Sequence, residues 1–248
     1  MADTDVFDRP AAWRVHAVER LGLCGDERTA GLATGAGYPA SLEPIRDLIA
    51  GLRGAVCDLG SGLGAATAWV EAGGHRMLAV EPEPRAVALA RDLFPELTVV
   101  GAAADALPFA AGSCAGATML GVVSLLADLS AVLAEVRRVV EPGGRIGLTD
   151  VVSVSERTDI PATGNHLRPL DELVAALGEH GIVIDAVTWT SEREARWADV
   201  AAAVDAEIAA RHAGTPAYEA WRSDGDVIGR MLASGGLRIV TVVATRAT

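Results

Sequence analysis

Residues 55–64 read AVCDLGSGLG, an apolar run that ends in Asp58 and passes at once into Gly60, Ser61, Gly62 and Gly64. A buried strand feeding a glycine-rich turn that opens a helix brings main-chain atoms close to a ligand at the carboxyl end of a sheet. Open α/β folds bind nucleotides there. Glu81 closes the next apolar run, roughly twenty residues beyond the loop, where a carboxylate can accept both hydroxyl protons of a ribose. Asp105 lies in ADALPF, after the third run; its carboxylate could accept from an adenine amino group while Leu107 packs beside the ring. Alone, each feature has a plainer reading: a tight turn without ligand, a solvated charge, a helix cap. At three successive strand ends they point together to a nucleoside cofactor. A nicotinamide cofactor is the competing reading, and against it the loop runs GxGxG where a dinucleotide fingerprint runs GxGxxG.

Such a loop needs a sheet behind it. From Gly54 onward short apolar runs alternate with amphipathic segments, the pattern of a parallel sheet with crossover helices. Strands are expected at Ala55–Leu59, Met77–Glu81, Thr98–Ala102, Ala115–Leu120, Arg145–Thr149, Ile182–Thr188 and Arg238–Ala244. Between the fourth and fifth, Leu129, Val132, Leu133, Val136, Val139 and Val140 recur on one helical face, and Pro142-Gly143-Gly144 ends that helix. Residues 1–50 read as a helical N-terminal segment, with helices over Ala11–Leu21 and Leu42–Leu52 on either side of the glycine-rich stretch Gly31–Tyr38.

Within one domain, residues 51–191 are the expected cofactor-binding core, 192–233 a helical insertion and 234–248 the last strand. In the insertion, Trp197, Val200, Val204 and Ile208 line one face of a long helix, followed by a looser segment through Tyr218 and Trp221. That stripe is expected to bury against the open end of the sheet, as a mobile lid over an acceptor, or against a second subunit in a homodimer.

The chain has 248 residues, half of them apolar, and a net charge of −12. That field opposes a phosphate backbone, so nucleic acid is not expected as a partner. No run approaches the ~18 apolar residues of a membrane span. The opening MADTDVFDRP lacks the apolar core of a secretory signal, so a cytoplasmic protein without membrane association is expected. Cys24, Cys57 and Cys114 show neither CxxC nor zinc-type spacing, which predicts reduced thiols and no metal site.

The succession DLGSGLG, Glu81, ADALPF and LADLSAVLAEVRRVVEPGGRIGLTD resembles the class I S-adenosylmethionine-dependent methyltransferases. The nearest branch is the small-molecule group with ubiquinone/menaquinone, tocopherol and sterol methyltransferases and natural-product tailoring enzymes. The likeness covers residues 50–190 and resumes at GGLRIV, residues 235–240. It implies a doubly wound, Rossmann-like α/β fold with a seven-stranded sheet whose last strand is antiparallel. It also implies S-adenosylmethionine as cofactor and a small-molecule acceptor methylated on carbon, oxygen or nitrogen.

By the same resemblance Asp58 and the Gly60-Ser61-Gly62 backbone face the methionine moiety. Glu81 holds the ribose hydroxyls, with Pro82 beside the adenine, and Asp105 and Ala106 bind the adenine edge. Leu120, with Gly121, lies under the sulfonium, and Tyr38 closes over the cofactor from the N-terminal side. Where the family often has Phe-Asp before the fourth strand, this chain has Cys114-Ala115.

Methyl transfer from a sulfonium is an in-line displacement of a good leaving group, so alignment and exclusion of water are the protein's main contributions. A base is needed only for a nucleophile that must lose a proton. Of the five histidines, His166 is the candidate, because it follows the fifth strand where this family builds its acceptor pocket. The fourth strand ends MLGVVSL, without the Asn/Asp-Pro-Pro-aromatic motif used on flipped bases. The remaining alternative is a member of the fold that binds the cofactor without methylating, as a partner subunit or a cyclase.

Overall fold

Val56, Cys57, Asp58 and Leu59 are all buried, as a strand covered by helices on both faces requires. This strand, β1 (Val56–Leu59), pairs in parallel with β2 (Met77–Glu81), which carries β3 (Thr98–Gly101) at the sheet edge. On its other side β1 pairs in parallel with β4 (Cys114–Leu120), and β4 with β5 (Val140–Ser153). A separate hairpin of β6 (Thr158–Ile160) and β7 (Asn165–Leu167) follows. The large sheet is completed by β8 (Ile182–Thr190) and β9 (Leu237–Arg246), in the order β3-β2-β1-β4-β5-β9-β8. β9 runs antiparallel to both of its neighbours. This is the seven-stranded, doubly wound sheet with a reversed last strand that the sequence led us to expect. The computed structural model describes residues 5–33, 39–160, 164–190 and 195–248.

The winding reverses between β1 and β4, so the loops leaving their carboxyl ends part there, at the position where such sheets bind ligands. Local chemistry sets up the crossovers. α1 (Asp5–Arg20), α2 (Gly25–Leu32) and α3 (Pro39–Ile49) precede β1, and α4 (Ala65–Glu71) leaves the glycine loop. α5 (Pro84–Leu93) has Pro84 in its first turn and Glu83 as N-cap, accepting from the Arg85 N–H. α6 (Leu129–Val139) is capped by Asp128, which accepts from the Ser130 and Ala131 N–H groups. It buries Leu129, Val132, Leu133, Val136 and Val139 under β4 and β5, each worth about 1.5–3 kcal/mol relative to exposure.

β5 begins at Val140, earlier than the apolar run suggests. Cys114 stands opposite Val140 and Gly116 opposite Arg145, so Pro142-Gly143-Gly144 is a bulge within the strand, with Gly143 at φ 78°. After β7 come α7 (Leu170–Glu179), α8 (Ala195–His212) and α9 (Pro216–Ala233).

The segment read as loose through Tyr218 and Trp221 is therefore a regular helix. Thr215 caps it, accepting from the Tyr218 N–H, and Pro216 occupies its first turn. Its Trp221 ring meets Trp13 of α1 edge-on at 6.2 Å, and Trp13 stacks on His212 at 4.4 Å. The stripe of α8 also finds an unexpected partner. Val204 and Ile208 pack with Val15, Ala17 and Val18 of α1, Leu32 of α2, and Leu63 and Ala65 beside the glycine loop. The N-terminal helices, together with residues beside the glycine loop, take up that face. The Trp197 side chain lies outside the described residues. No helix among the described residues is long and apolar enough to cross a membrane.

Candidate active site

The glycine loop is fastened to the strand beside it. The N–H groups of Gly60 and Ser61 both donate to the Val80 carbonyl, at 2.8 and 3.0 Å. The Gly62 N–H donates to Glu81 Oε2 at 2.9 Å, and the Glu83 N–H to Oε1 at 3.0 Å. Glu81 thus shapes both the loop after β1 and the turn after β2. The residue is 8% exposed, and burial pushes its pKa up from the ordinary range, against the pull of those two N–H groups. Gly60, Gly62 and Gly64 have φ of 73°, 55° and 76°, in the left-handed region open to glycine.

Asp58 sits one layer deeper than expected. Its carboxylate is turned into the sheet, where Thr67 Oγ1 donates to Oδ2 at 2.5 Å and Thr118 Oγ1 to Oδ1 at 2.8 Å. Burial raises its pKa to about 6, and both hydroxyl bonds act in the opposite direction. The carboxylate ties β1, β4 and the first turns of α4 together under the loop. Above it, the Ser61 hydroxyl oxygen is buried with no hydrogen-bond partner. A buried hydroxyl left unpaired costs about 1–3 kcal/mol, so it fits a site completed by a polar ligand.

Pro82, Asp105 and Ala106 lie exposed at the carboxyl ends of β2 and β3, and Leu107 between the loop and the core is buried. The ADALPF loop is held from α6. The Leu107 N–H donates to Glu135 Oε2 at 2.8 Å, while Arg138 donates to the carbonyls of Leu107 and Phe109 at 2.9 and 2.7 Å. Glu135 and Arg138 pair with each other at 2.6 Å, which holds the Glu135 carboxyl below its usual range. Leu120 ends β4 and is buried, and the Gly121 N–H donates to the Thr149 carbonyl at 2.7 Å. Tyr38 lies outside the described residues.

On the other side of the switch point the structure adds residues without a role in the sequence reading. Val122 rests on Gly60, so that a Cβ on that glycine would stand 2.4 Å from Val122 Cγ2. Asp150, 2% exposed at the end of the β5 core, accepts the Ser124 N–H at 3.0 Å; burial raises its pKa. In the sequence it directly follows the expected strand Arg145–Thr149, but β5 runs on to Ser153. Arg168, 5% exposed, binds the carbonyls of the same turn, and nothing in its local sequence announces this.

His166 stands opposite Asp159 in the β6–β7 hairpin, with Nδ1 3.0 Å from Asp159 Oδ1. That bond, followed by Arg157, holds Asp159 below the usual carboxylate range. A carboxylate on Nδ1 orients the ring and leaves Nε2 for chemistry. Cys114 opens β4 and is buried near Cys57, whose thiol hydrogen-bonds the Gly116 carbonyl at 3.5 Å.

A glycine loop braced by a strand-end glutamate at a sheet's switch point is the frame on which nucleoside cofactors are held. The family profile described as "Methyltransferase domain" matches residues 57–148, from β1 to within β5. Those residues are similar to that family. A search of curated protein sequences finds no match.

Several solved structures share the fold. One is geranyl diphosphate C-methyltransferase from Streptomyces coelicolor A3(2), in complex with Mg2+, geranyl diphosphate and S-adenosyl-L-homocysteine. It is 16% identical, with a TM-score of 0.64 over 84% of this chain and 79% of that one. The [4+2]-cyclase SpnF is 21% identical, with a TM-score of 0.68 over 83% of this chain and 81% of its own. A sarcosine dimethylglycine methyltransferase, so named provisionally, from Galdieria sulphuraria is 17% identical, with a TM-score of 0.66 over 84% and 83%. The segment matched by the family profile thus lies inside a fold that these proteins share over most of their length.

Proposed function

We propose that this chain transfers a methyl group from S-adenosylmethionine to a small-molecule acceptor. The observation that carries the reading is the Gly60–Gly62 loop, bonded to Val80 and Glu81 at the switch point with the Ser61 hydroxyl unpaired. Glu81 holds the ribose hydroxyls through lone pairs not used by Gly62 and Glu83, with Pro82 beside the adenine. Asp105 and Ala106 meet the adenine edge on the loop that Glu135 and Arg138 fix. The Gly60, Ser61 and Gly62 main chain receives the methionine moiety, and Leu120 lies beneath the sulfonium. Asp58 contributes from below, by bracing Thr67 and Thr118 and by its charge. When bound, the cofactor supplies a methyl group on a sulfonium, ready for in-line displacement.

The acceptor side is built from the turn after β4 and the β6–β7 hairpin. Leu125 and Val154 are exposed at the carboxyl ends of β4 and β5, which suits an apolar acceptor. His166, oriented by Asp159, takes a proton from an acceptor that must lose one. The domain is single, with residues 51–191 as core and the 192–233 insertion joining the N-terminal helices as cover. The cyclase among the structural neighbours supports a second reading, in which the cofactor is bound and the methyl group never moves.

Calorimetry with S-adenosylhomocysteine and with NAD, followed by incubation with methyl-labelled S-adenosylmethionine and apolar acceptors, tests both. Micromolar affinity for S-adenosylhomocysteine alone supports cofactor binding, and label in an acceptor supports transfer. Folded protein that binds neither the product nor the donor ends the proposal.

A further inference from the structure

Arginine is rarely buried without a partner for each of its donors, and Arg168, just after β7, is 5% exposed. One guanidinium nitrogen donates to the carbonyls of Val123 and His166 at 3.0 and 3.2 Å. The other donates to the carbonyls of Leu126 and Ala127, and Nε lies 3.4 Å from Glu172 Oε1. Three of these four carbonyls belong to the single turn that leaves β4. A second buried charge holds the same turn by its N–H side, because Ser124 donates to Asp150. Removing two charges from water is costly unless their hydrogen bonds are made. Both groups bind main-chain groups of one turn, and that turn places Val122 on Gly60 and Leu125 outward, 41% exposed.

We propose that Arg168 is a positioning residue for the active site: its grip on Val123, Leu126 and Ala127 sets Val122 over the glycine loop and fixes the acceptor-side wall. What the crevice binds rests on the methyl-transfer reading; the grip itself does not. A lysine keeps the charge, but a point ammonium cannot span carbonyls that a planar fork reaches together.

The test is hydrogen exchange and S-adenosylhomocysteine calorimetry on the full chain, for the parent, Arg168→Met and Arg168→Lys. In Arg168→Met the amides of residues 122–127 should exchange at least about tenfold faster while β1 and β2 keep their protection. Affinity for S-adenosylhomocysteine should fall by about tenfold, with Arg168→Lys intermediate. Unchanged exchange over 122–127, or faster exchange with undiminished affinity, overturns the proposal. If Arg168→Met does not fold, Arg168→Lys decides by the same two readouts, and its failure to fold also overturns the proposal by making Arg168 a support of the whole fold. A parent that binds no S-adenosylhomocysteine removes the methyl-transfer reading, while exchange over 122–127 still judges the grip.

Discussion

Val122 and Gly60 touch across the switch point: a Cβ added to Gly60 would meet Val122 Cγ2 at 2.4 Å and Cβ at 3.0 Å. The loops after β1 and β4 therefore depend on each other's shape. At Gly62, by contrast, an added Cβ meets nothing within 4 Å. Gly62→Ala should cost only the left-handed strain of about 1–2 kcal/mol. Gly60→Ala adds overlap and should cost about 2–4 kcal/mol, part of it recovered in Gly60→Ala/Val122→Ala. Urea unfolding of the four-member cycle measures the coupling, and additivity within about 0.3–0.5 kcal/mol would sink the contact.

Glu81→Gln should weaken S-adenosylhomocysteine binding by about 1–3 kcal/mol, the range for hydrogen bonds to a charged group. It should also reduce stability, because one amide oxygen replaces two oxygens that accept from Gly62 and Glu83. Calorimetry separates the two effects. Binding as tight as the parent's would remove Glu81 from the ribose.

Asp58 titrates at about 6 in the folded chain, above its ordinary 3.8. Between those values the folded state keeps a proton that the unfolded state has released, so stability declines as pH rises from about 4 to about 6 and levels off above. The contribution is about 3 kcal/mol, with buried Glu81 and Asp150 shifted in the same direction. Asp58→Asn should therefore gain on the parent by up to that amount across the window. Urea midpoints for both proteins from pH 4 to 7 measure this, and a constant difference would contradict it.

His166→Gln should lower turnover by about 10²–10⁴-fold on an acceptor that must lose a proton, with S-adenosylhomocysteine affinity unchanged. Asp159→Ala should give a smaller loss, since it removes only the hydrogen bond at Nδ1. An undiminished rate in His166→Gln would leave the hairpin a purely structural part.

Much of this protein is written within a few residues at a time. The apolar run into DLGSGLG placed β1 and its loop, and Met77–Glu81 was bounded correctly, because glycine freedom and apolar periodicity are local properties. The capped, one-faced helix Leu129–Val139 was legible for the same reason. The hairpin was not, since two strands of three residues exist only as a pair. α9 carries Gly225 and Gly229, at which an added Cβ meets nothing, and is held by Trp221 against Trp13.

The sequence by itself determined the sheet, the glycine loop, and the acids Asp58 and Glu81 at the ends of β1 and β2. Only the tertiary structure decided what each acid bonds: Asp58 faces inward to Thr67 and Thr118, and Glu81 holds the glycine loop and the turn after β2. It alone revealed Arg168, whose carbonyl partners in the turn after β4 lie 41 to 45 residues earlier in the chain. Buried polar groups must be satisfied by whatever the fold brings near, and that partner is chosen by topology, which no local spacing records.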